Sequence, residues 1–343
     1  MKNPHTITNE NLKIKEPRSG NHSFGVGVEI SIIIPIFNEA ENLPRLFDGI
    51  RDIAKEHHLA YEIIAVDDGS TDQTEKIIRE ASNRDKNIKA VFFSRNYGQT
   101  AALSSGIANA SGEIIIPIDA DLENDPADIP ILLEKLNQGY DIVSGWRKKR
   151  WQGQWLTRKL PSLTANKLIS FITGTKLHDY GCTLKAYRRE SVEDIPLYGD
   201  MHRFVPAYAA SNGYKVAEIP VHYKPRKFGK SKYGFGRAWK VLLDLMVFKF
   251  LTDFSRRPIH LFGSLGFISI FTGLMAGASS LYYKFSEINH KDFVETPLLV
   301  IMAMLIVVGI MLIMMGLLAE ILIRTYFENQ NRKSYKIKEK INL

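Results

Sequence analysis

Two long uncharged runs near the C-terminus place the strongest constraint on how this chain can fold. Residues 261–283 and 297–319 each contain 23 residues without Asp, Glu, Lys or Arg. About 20 apolar residues in a helix cross the hydrocarbon core of a bilayer. Only helices and closed barrels satisfy all their backbone hydrogen bonds there. The runs therefore predict two transmembrane helices in a multi-pass protein of the plasma (inner) membrane.

Charge is concentrated beside these runs. Of the net charge of +8, residues 224–257 contribute ten basic and two acidic residues, and residues 324–343 contribute six basic and two acidic ones. Because both stretches flank the most hydrophobic part of the chain, the lipid bilayer explains them better than nucleic acid does. The connector 284–296 has two basic and three acidic residues. The positive-inside rule then predicts an external connector, with the N-terminal domain and both termini in the cytoplasm.

Composition suggests the remaining boundaries. We expect a disordered leader at 1–28, a folded domain at 29–232, an interfacial amphipathic helix region at 233–258, two transmembrane helices within 259–323, and a basic cytoplasmic tail at 324–343. The leader has no apolar run long enough for a signal peptide. Cys182 is the only cysteine, which excludes an intrachain disulfide. Glycines in the apolar runs permit close helix packing and leave open a homo-oligomer formed through these helices.

Short apolar runs alternate with helical patterns between residues 29 and 119. The runs at 29–35, 61–66, 88–93 and 113–118 are typical of buried strands. Alternating strands and helices predict an α/β fold whose mostly parallel sheet is covered by helices on both faces.

Polar side chains follow three of these strands. Asn38 and Glu39 come after the first strand, Asp67 and Asp68 after the second, and Asp119 and Asp121 after the fourth. Turn chemistry explains any one pair, but parallel strands end at one sheet edge, where ligands bind. Asp119 and Asp121, one residue apart, suit Mg²⁺ or Mn²⁺ carrying a diphosphate. The chain has neither a P-loop motif nor the GxGxxG motif of dinucleotide domains.

Several motifs occur in a fixed order along this pattern. They are residues 35–39 (PIFNE), 67–74 (DDGSTDQT), 94–98 (SRNYG) and 119–122 (DADL), followed by 179–182 (DYGC), 187–189 (YRR) and 226–233 (RKFGKSKY). From about residue 29 to the C-terminus, the chain resembles the inverting family 2 glycosyltransferases of the GT-A fold. Within that family it resembles the polyprenyl-phosphate glycosyltransferases, which include dolichol-phosphate mannose synthase and bactoprenol glucosyltransferases. The resemblance implies a Rossmann-like sheet flanked by helices, then interfacial helices and a two-helix transmembrane hairpin.

The resemblance also implies a site for a nucleotide-diphosphate-sugar donor. Its donor-binding positions fall on Pro35, Phe37, Glu39, Val66, Asp67, Asp68, Asp119, Ala120, Arg226 and Lys232. Its metal-binding positions, for Mg²⁺ or Mn²⁺, fall on Asp119, Asp121 and Glu123. Most members have Gln where this chain has Glu123. A carboxylate there would either bind the metal more strongly or repel the diphosphate.

The acceptor implied by the resemblance is polyprenyl phosphate, such as undecaprenyl or dolichyl phosphate. Its phosphate would meet Arg147, Arg158, Ser162 and Arg226, and the catalytic positions are Asp121, Asp179 and Arg147. Branches of the family place the acceptor-side Asp differently, at Asp179 or at the position of Cys182. Arg158 and Ser162 lie four residues apart, a spacing that is common on any helix. The basic loop around Arg226 can equally be a polybasic patch beside the membrane.

The predicted reaction moves one sugar to the lipid phosphate. Because that phosphate oxygen is already anionic at neutral pH, a strong general base is not required. One alternative is a processive polysaccharide synthase of the same superfamily, but the chain lacks the QxxRW element of such enzymes. Another is a catalytically silent membrane scaffold, but Asp119, Asp121, Arg147, Arg226 and Lys232 are all retained.

Overall fold

The described part of the chain contains one large sheet and eight α-helices. The computed structural model describes residues 28–148, 150, 160–193, 195, 197, 201–225, 245–246, 248–250, 258–286, 292–293, 296–328 and 335–343. Its strands are β1 (Ile30–Ile36), β2 (Tyr61–Asp67), β3 (Ile88–Phe93), β4 (Ile114–Pro117), β5 (Ile142–Trp146), β6 (Lys185–Arg188), β7 (Val216–Pro220) and β8 (Ile337–Ile341). Its helices are α1 (Leu43–Glu56), α2 (Thr74–Arg84), α3 (Gln99–Asn109), α4 (Ile129–Asn137), α5 (Leu160–Thr173), α6 (Val205–Ser211), α7 (Pro258–Phe285) and α8 (Leu298–Glu328).

All eight strands form a single sheet in the order β7-β5-β6-β4-β1-β2-β3-β8. The pairs β1–β2, β1–β4, β2–β3 and β5–β7 are parallel. The pairs β3–β8, β4–β6 and β5–β6 are antiparallel. The predicted α/β fold with a mostly parallel sheet is therefore confirmed.

Strand β1 is buried on both faces at the centre of the sheet. Ile32 and Ile34 pack into one core cluster, with helices α1, α2 and α4. Ile33 packs into a second cluster, with α3 and α6. Helix α1 contributes Leu43, Leu46, Phe47, Ile50 and Ala54, whose spacing of three or four residues puts them on one face. These helices cover both faces of the sheet, so polar side chains can contact a ligand only at the edge where the strands end.

The two apolar runs form long helices. Helices α7 and α8 contain segments long and apolar enough to cross a membrane, at Pro258–Phe285 and Leu298–Leu322. Large apolar side chains on them face outward: Phe271 is 66% exposed and Met314 is 65% exposed. A core helix of a soluble domain would bury such side chains. Both helices are therefore candidate transmembrane spans.

Glycines bring α7 and α8 into close contact. A Cβ atom on Gly266 would lie 2.6 Å from the carbonyl oxygen of Gly309, and a Cβ atom on Gly309 would lie 2.6 Å from that of Gly266. The Ser269 hydroxyl also donates a hydrogen bond of 2.7 Å to the carbonyl oxygen of Leu305. The small residues therefore pack the two helices of one chain together, as in other membrane helix pairs.

Strand β8 was not predicted. The segment 324–343 was expected to be a basic tail, yet its residues 337–341 pair antiparallel with β3 and become one edge of the sheet. Only Ile337 and Ile341 of this strand pack against the core. The strand was missed because its charged residues are typical of a solvent-exposed tail. In the structure, Lys338 and Glu339 form ion pairs with Glu75 and Arg79 on α2.

Two other predicted segments are described in part or not at all. The leader is outside the described residues up to position 27. Of the predicted interfacial region 233–258, Leu245 and Phe248 are buried in a cluster with residues of α5 and α6, and Met246 is 63% exposed. This small stretch of helix thus has one face on the domain and another facing away from it.

Candidate active site

The predicted convergence of strand ends is present at the centre of the sheet. Strand β1 lies between β2 and β4, parallel to both, with Ile36 opposite Asp67 and Ile33 opposite Pro117. The segments after the three strands consequently leave the sheet at the same edge. Asp67 and Asp68 come from one of them, and Asp119 and Asp121 come from another.

Asp119 is held by two side chains that were not predicted. The Gln99 amide donates to Asp119 Oδ1 at 2.7 Å, and the Thr183 hydroxyl donates to Asp119 Oδ2 at 2.6 Å. Burial and the nearby charge of Asp121 raise the pKa of Asp119 to about 6, although the Thr183 hydrogen bond opposes the shift. The site therefore concentrates negative charge that a cation would stabilise.

A tight turn carries the other two acidic residues. Asp121 is buried, and its Oδ1 accepts the backbone N–H of Glu123 at 3.0 Å. Leu122 between them has a φ of 60°, in the left-handed region that a side chain rarely adopts. Such strain is typical of functional turns. Here it places the backbone N–H of Glu123 on the Asp121 carboxylate, just beyond β4.

Arg147 forms a buried ion pair with Asp179 beside this turn. Arg147 Nε donates to Asp179 Oδ2 at 2.8 Å, and its Nη2 donates to Asp179 Oδ1 at 3.2 Å. Burial opposes the charge of Arg147, but Asp179 outweighs that effect and raises the pKa of the guanidinium. Burial likewise opposes the charge of Asp179, but Arg147 holds the pKa of that carboxyl below its usual value. The two-point contact fixes both side chains.

Glu123 faces two cations of the same cluster. Its Oε2 lies 3.5 Å from Arg147 Nη1 and 3.9 Å from Arg150 Nη2. A Gln at this position would leave these cations with one negative charge fewer. The negative charge that Glu123 adds relative to the Gln of most family members is thus balanced by Arg147 and Arg150.

Glu218 of β7 supports the loop that carries Asp179. It accepts the backbone N–H groups of His178 and Asp179, each at 3.0 Å or less, and contacts His178 Nδ1 at 2.7 Å. The His178 ring also stacks on Trp146, with ring centroids 4.3 Å apart. Glu218 therefore sets the position of Asp179 from a strand more than thirty residues further along the chain.

Cys182 and Lys185 lie beneath the cluster. Cys182 is fully buried, and burial raises the pKa of its thiol to about 11. A thiol with this pKa is a poor nucleophile at neutral pH. Lys185 donates to the carbonyl oxygen of Cys182, and burial lowers the pKa of its ammonium group.

Asp68 organises the other end of the site. Its two carboxylate oxygens accept the backbone N–H groups of Tyr97 and Gly98, at 2.6 and 2.8 Å. Asp67 accepts the N–H of Ser70 at 3.1 Å. Gly69 has a φ of 71°, and a Cβ atom there would lie 2.5 Å from the backbone of Arg95. Burial raises the pKa of both Asp67 and Asp68.

The remaining predicted donor positions divide into two groups. Pro35, Phe37 and Glu39 are half-buried at the end of β1, and the Thr74 hydroxyl accepts the N–H of Glu39 at 3.0 Å. Val66 and Ala120 are buried with their side chains in core clusters. A ligand could therefore reach Val66 and Ala120 only through their backbone.

Several predicted residues cannot be placed. Arg158, Arg226 and Lys232 lie outside the described residues, and Ser162 lies on α5 without a described side chain. The chain just before Arg226 is described, however. Lys224 donates its N–H to the carbonyl oxygen of Glu123 at 3.0 Å, and its ammonium group lies 2.5 Å from Asp125. The basic loop thus begins beside the acidic turn.

Four further residues of the site were missed: Gln99, Thr183, Lys185 and Glu218. Gln99 had a local signal, since it directly follows the 94–98 motif at the start of a helix. Thr183 had none, because it meets Asp119 across 64 residues of chain.

Known proteins resemble this chain along most of its length. The model of glycosyl transferase family 2 matches residues 31–196. Dodecaprenyl-phosphate galacturonate synthase of Rhizobium johnstonii is 38% identical over 329 residues, which cover 94% of this chain and 96% of the relative. Undecaprenyl-phosphate 4-deoxy-4-formamido-L-arabinose transferase of Proteus mirabilis is 34% identical, with 92% and 94% coverage.

Solved structures agree on the fold of the N-terminal domain. Glucosyl-3-phosphoglycerate synthase from Mycobacterium tuberculosis, in complex with Mn²⁺, UDP and glucosyl-3-phosphoglycerate, aligns with a TM-score of 0.51 and 20% identity. The alignment covers 65% of this chain and 80% of that one. At this identity the likeness concerns the fold alone. By its full-length relatives, its matching motifs and its GT-A-like α/β domain, this chain belongs to glycosyl transferase family 2.

Proposed function

We propose that this protein transfers one sugar from a nucleotide-diphosphate-sugar to polyprenyl phosphate at the cytoplasmic face of the plasma (inner) membrane. The observation that carries the proposal is the pair of carboxylates beyond β4, the half-buried Asp119 and the buried Asp121, in a chain that also has two exposed helices of membrane-spanning length. The names of both full-length relatives agree, since each describes a polyprenyl-phosphate sugar synthase or transferase.

Asp119 and Asp121, with Glu123 beside them, would hold Mg²⁺ or Mn²⁺. Their oxygens are the hard ligands that these ions prefer, and such ions are typically shared between one or two carboxylates and substrate phosphates. The raised pKa of Asp119 supports the fit, because burial and the charge of Asp121 both disfavour its ionised form, and a bound cation would offset both effects. When bound, the cation would offset the charge that develops on the departing diphosphate.

The chain's own residues bind and orient the two substrates. Asp67, Asp68 and the end of β1 form the nucleotide end, and the 94–98 loop closes over Asp68 through two backbone N–H groups. An oxygen of the lipid phosphate forms a bond to the sugar's anomeric carbon while the bond from that carbon to the diphosphate breaks. The nucleoside diphosphate leaves with that electron pair, and the family implies inversion at the carbon.

Arg147 has a refined role in this proposal. Arg147 is 4% exposed, and its guanidinium group is bound by Asp179. It therefore orients Asp179 and balances Glu123. Direct capture of the acceptor phosphate falls mainly to Arg158, Ser162 and Arg226, the other acceptor positions that the family resemblance implies.

The path of the chain supports a hairpin topology. It leaves the sheet domain, passes through α7 and α8, and returns to the same sheet as β8. An even number of crossings puts the sheet domain and the C-terminus on one side of the membrane. Together with the basic flanks of the apolar helices, this supports a cytoplasmic domain and an external connector.

A product assay tests the proposed function. Membranes containing the protein are incubated with labelled nucleotide sugars, one at a time, with polyprenyl phosphate and Mg²⁺ or Mn²⁺, and the lipids are extracted. We expect one labelled polyprenyl-phosphate-sugar, which acid treatment releases as a monosaccharide. Asp121→Asn is the matched control and should give no product while keeping the wild-type melting temperature within a few degrees. A labelled polymer instead of a monosaccharide would favour a processive synthase.

A further inference from the structure

The C-terminal strand lies against the part of the domain that forms the nucleotide end of the site. We propose that β8, together with Tyr335 just before it, is a positioning element that holds residues 94–98, named here the donor loop. Donor binding then depends on the last nine residues of the chain. This inference rests on the proposed function for its kinetic consequence, but its structural part does not.

Strand β8 extends the sheet at the strand that leads into the donor loop. Its residues pair antiparallel with β3, from Ala90 opposite Ile341 to Phe93 opposite Ile337. The pairing continues one step beyond β3, because Ser94 donates its N–H to the carbonyl oxygen of Lys336 at 3.3 Å. Without β8, the backbone groups along this side of β3 would form an open sheet edge.

Tyr335 connects the strand to the donor loop through two aromatic contacts. Its ring is 8% exposed and stacks on Phe93, with centroids 5.0 Å apart and an interplanar angle of 20°. Phe93 in turn meets Tyr97 edge-on at 5.6 Å. Tyr335 also belongs to the core cluster that contains Val66 and Ala102, directly beneath the nucleotide end of the site.

The donor loop is hydrogen-bonded to one carboxylate of the site and leads into the residue that binds another. The backbone N–H groups of Tyr97 and Gly98 hold Asp68. Gly98 has a φ of 95° and precedes α3, whose first residue, Gln99, holds Asp119. A shift of the loop would therefore move hydrogen bonds at both the nucleotide end and the metal end.

Strand β8 and the residue that follows it also make contacts outside the donor loop. Arg79 of α2 makes two hydrogen bonds to Glu339, at 3.0 and 2.7 Å. Asn342 donates to the carbonyl oxygens of Ser82 and Ile88, at 2.8 and 3.0 Å. These contacts fix β8 to α2 and β3. The position of Tyr335 against Phe93 is therefore fixed by the rest of the domain.

Amide hydrogen exchange on the full-length protein in lipid nanodiscs tests the structural part. The variants are Tyr335→Ala, Tyr335→Phe, removal of residues 335–343, and Lys338→Ala. The last is a matched control, because Lys338 lies on the same strand as the tested contacts and its replacement breaks an exposed ion pair with Glu75 of α2. We expect Tyr335→Ala and the truncation to speed exchange at Tyr97 and Gly98 by about three- to tenfold, the range that loss of one aromatic pair produces. Tyr335→Phe and Lys338→Ala should exchange at the wild-type rate.

Steady-state kinetics on the same variants tests the consequence for binding. Tyr335→Ala should raise KM for the nucleotide sugar by about three- to tenfold, while kcat and KM for polyprenyl phosphate stay within about twofold of wild type. Tyr335→Phe should restore the wild-type KM, because the stacking ring is retained.

Each result decides the proposal. Unchanged exchange at Tyr97 and Gly98 in both Tyr335→Ala and the truncation would overturn it, and so would a uniform increase over the whole domain, which would indicate a general loss of stability. Faster loop exchange with an unchanged donor KM would overturn the link to binding. If the wild type uses no nucleotide sugar, the proposed function fails, and exchange still decides whether β8 holds the loop.

Discussion

At the residue scale, the chemistry of the site depends on how each buried charge is balanced. Asp179 and Arg147 neutralise one another at hydrogen-bond distance, and Glu123 lies near two arginines. Asp119 accepts hydrogen bonds from the neutral side chains of Gln99 and Thr183, and burial and the charge of Asp121 raise its pKa. The site therefore has a charge-balanced part at Arg147 and Asp179 and an acidic part at Asp119 and Asp121.

Replacement of one partner of the buried ion pair should destabilise the protein. Arg147→Ala or Asp179→Ala leaves an uncompensated buried charge, a change that costs about 3–5 kcal/mol. The double variant should lose less than the sum of the two single losses. Chemical denaturation of the domain measures all three. Additive losses would mean that the pair is not coupled, and Arg147 would then be free to act on a phosphate.

Glu123→Gln should retain substantial transfer activity. The amide keeps the size of the side chain and one oxygen, and it removes a charge that lies 3.5 Å or more from its arginine partners. Both distances are longer than the roughly 2.7–2.9 Å of a charge-assisted hydrogen bond, so neither contact is a strong one. The transfer assay and a melting curve check this. Complete loss of transfer would show that the carboxylate itself is required, as a metal ligand would be.

Cation binding should weaken in acid. The pKa of Asp119 is about 6, above its ordinary value of 3.8, so protons are bound more tightly in the folded state than in the unfolded chain. Without metal, this carboxylate lowers stability as the pH rises from about 4 to 6. A cation must displace the proton, so affinity for Mn²⁺ should fall about tenfold per pH unit below 6. Calorimetric titration at pH 7.5 and 5 measures it. Equal affinity at both values would exclude Asp119 as the titrating ligand.

At the element scale, the helix pair depends on small residues at its contact points. Gly309→Val should lower the melting temperature of the detergent-solubilised protein, because a Cβ atom there would lie 2.5 Å from the Ile270 side chain and 2.6 Å from a backbone oxygen. Gly263→Val is the matched control, since its nearest neighbour, Ile259, is 3.8 Å away. Equal melting temperatures for the two variants would mean that α7 and α8 do not pack in this way.

At the scale of the whole molecule, β8 and the two apolar helices make one prediction about topology. A tag inserted near Asn289 should be labelled only from outside intact cells, and tags at either terminus only after the membrane is permeabilised. The physical reason is that β8 must reach the same sheet as β1 to β7, which requires an even number of crossings. Labelling of the Asn289 tag from the cytoplasm would contradict the two-span hairpin.

Local pattern was enough to predict the central strands and the acidic strand ends. The run 30–36 forms a buried strand because a short, continuous run of Ile is typical of a parallel strand that is covered on both faces. Asp119 and Asp121 were found because they directly follow such a run. The two candidate membrane helices were found for a similar reason, since length and lack of charge are local properties.

The sequence by itself determined the α/β class, the mostly parallel central strands, the acidic strand ends and the apolar helix pair. Only the tertiary structure decided that Arg147 is bound by Asp179, that Gln99 and Thr183 hold Asp119, and that β8 closes the sheet beside β3. These contacts join residues that are 20 to 64 positions apart in the site. Between Arg79 and Glu339 the separation is 260 positions. Local sequence periodicity cannot predict such contacts. They form because folding buries polar groups from distant parts of the chain next to one another, and buried polar groups form hydrogen bonds.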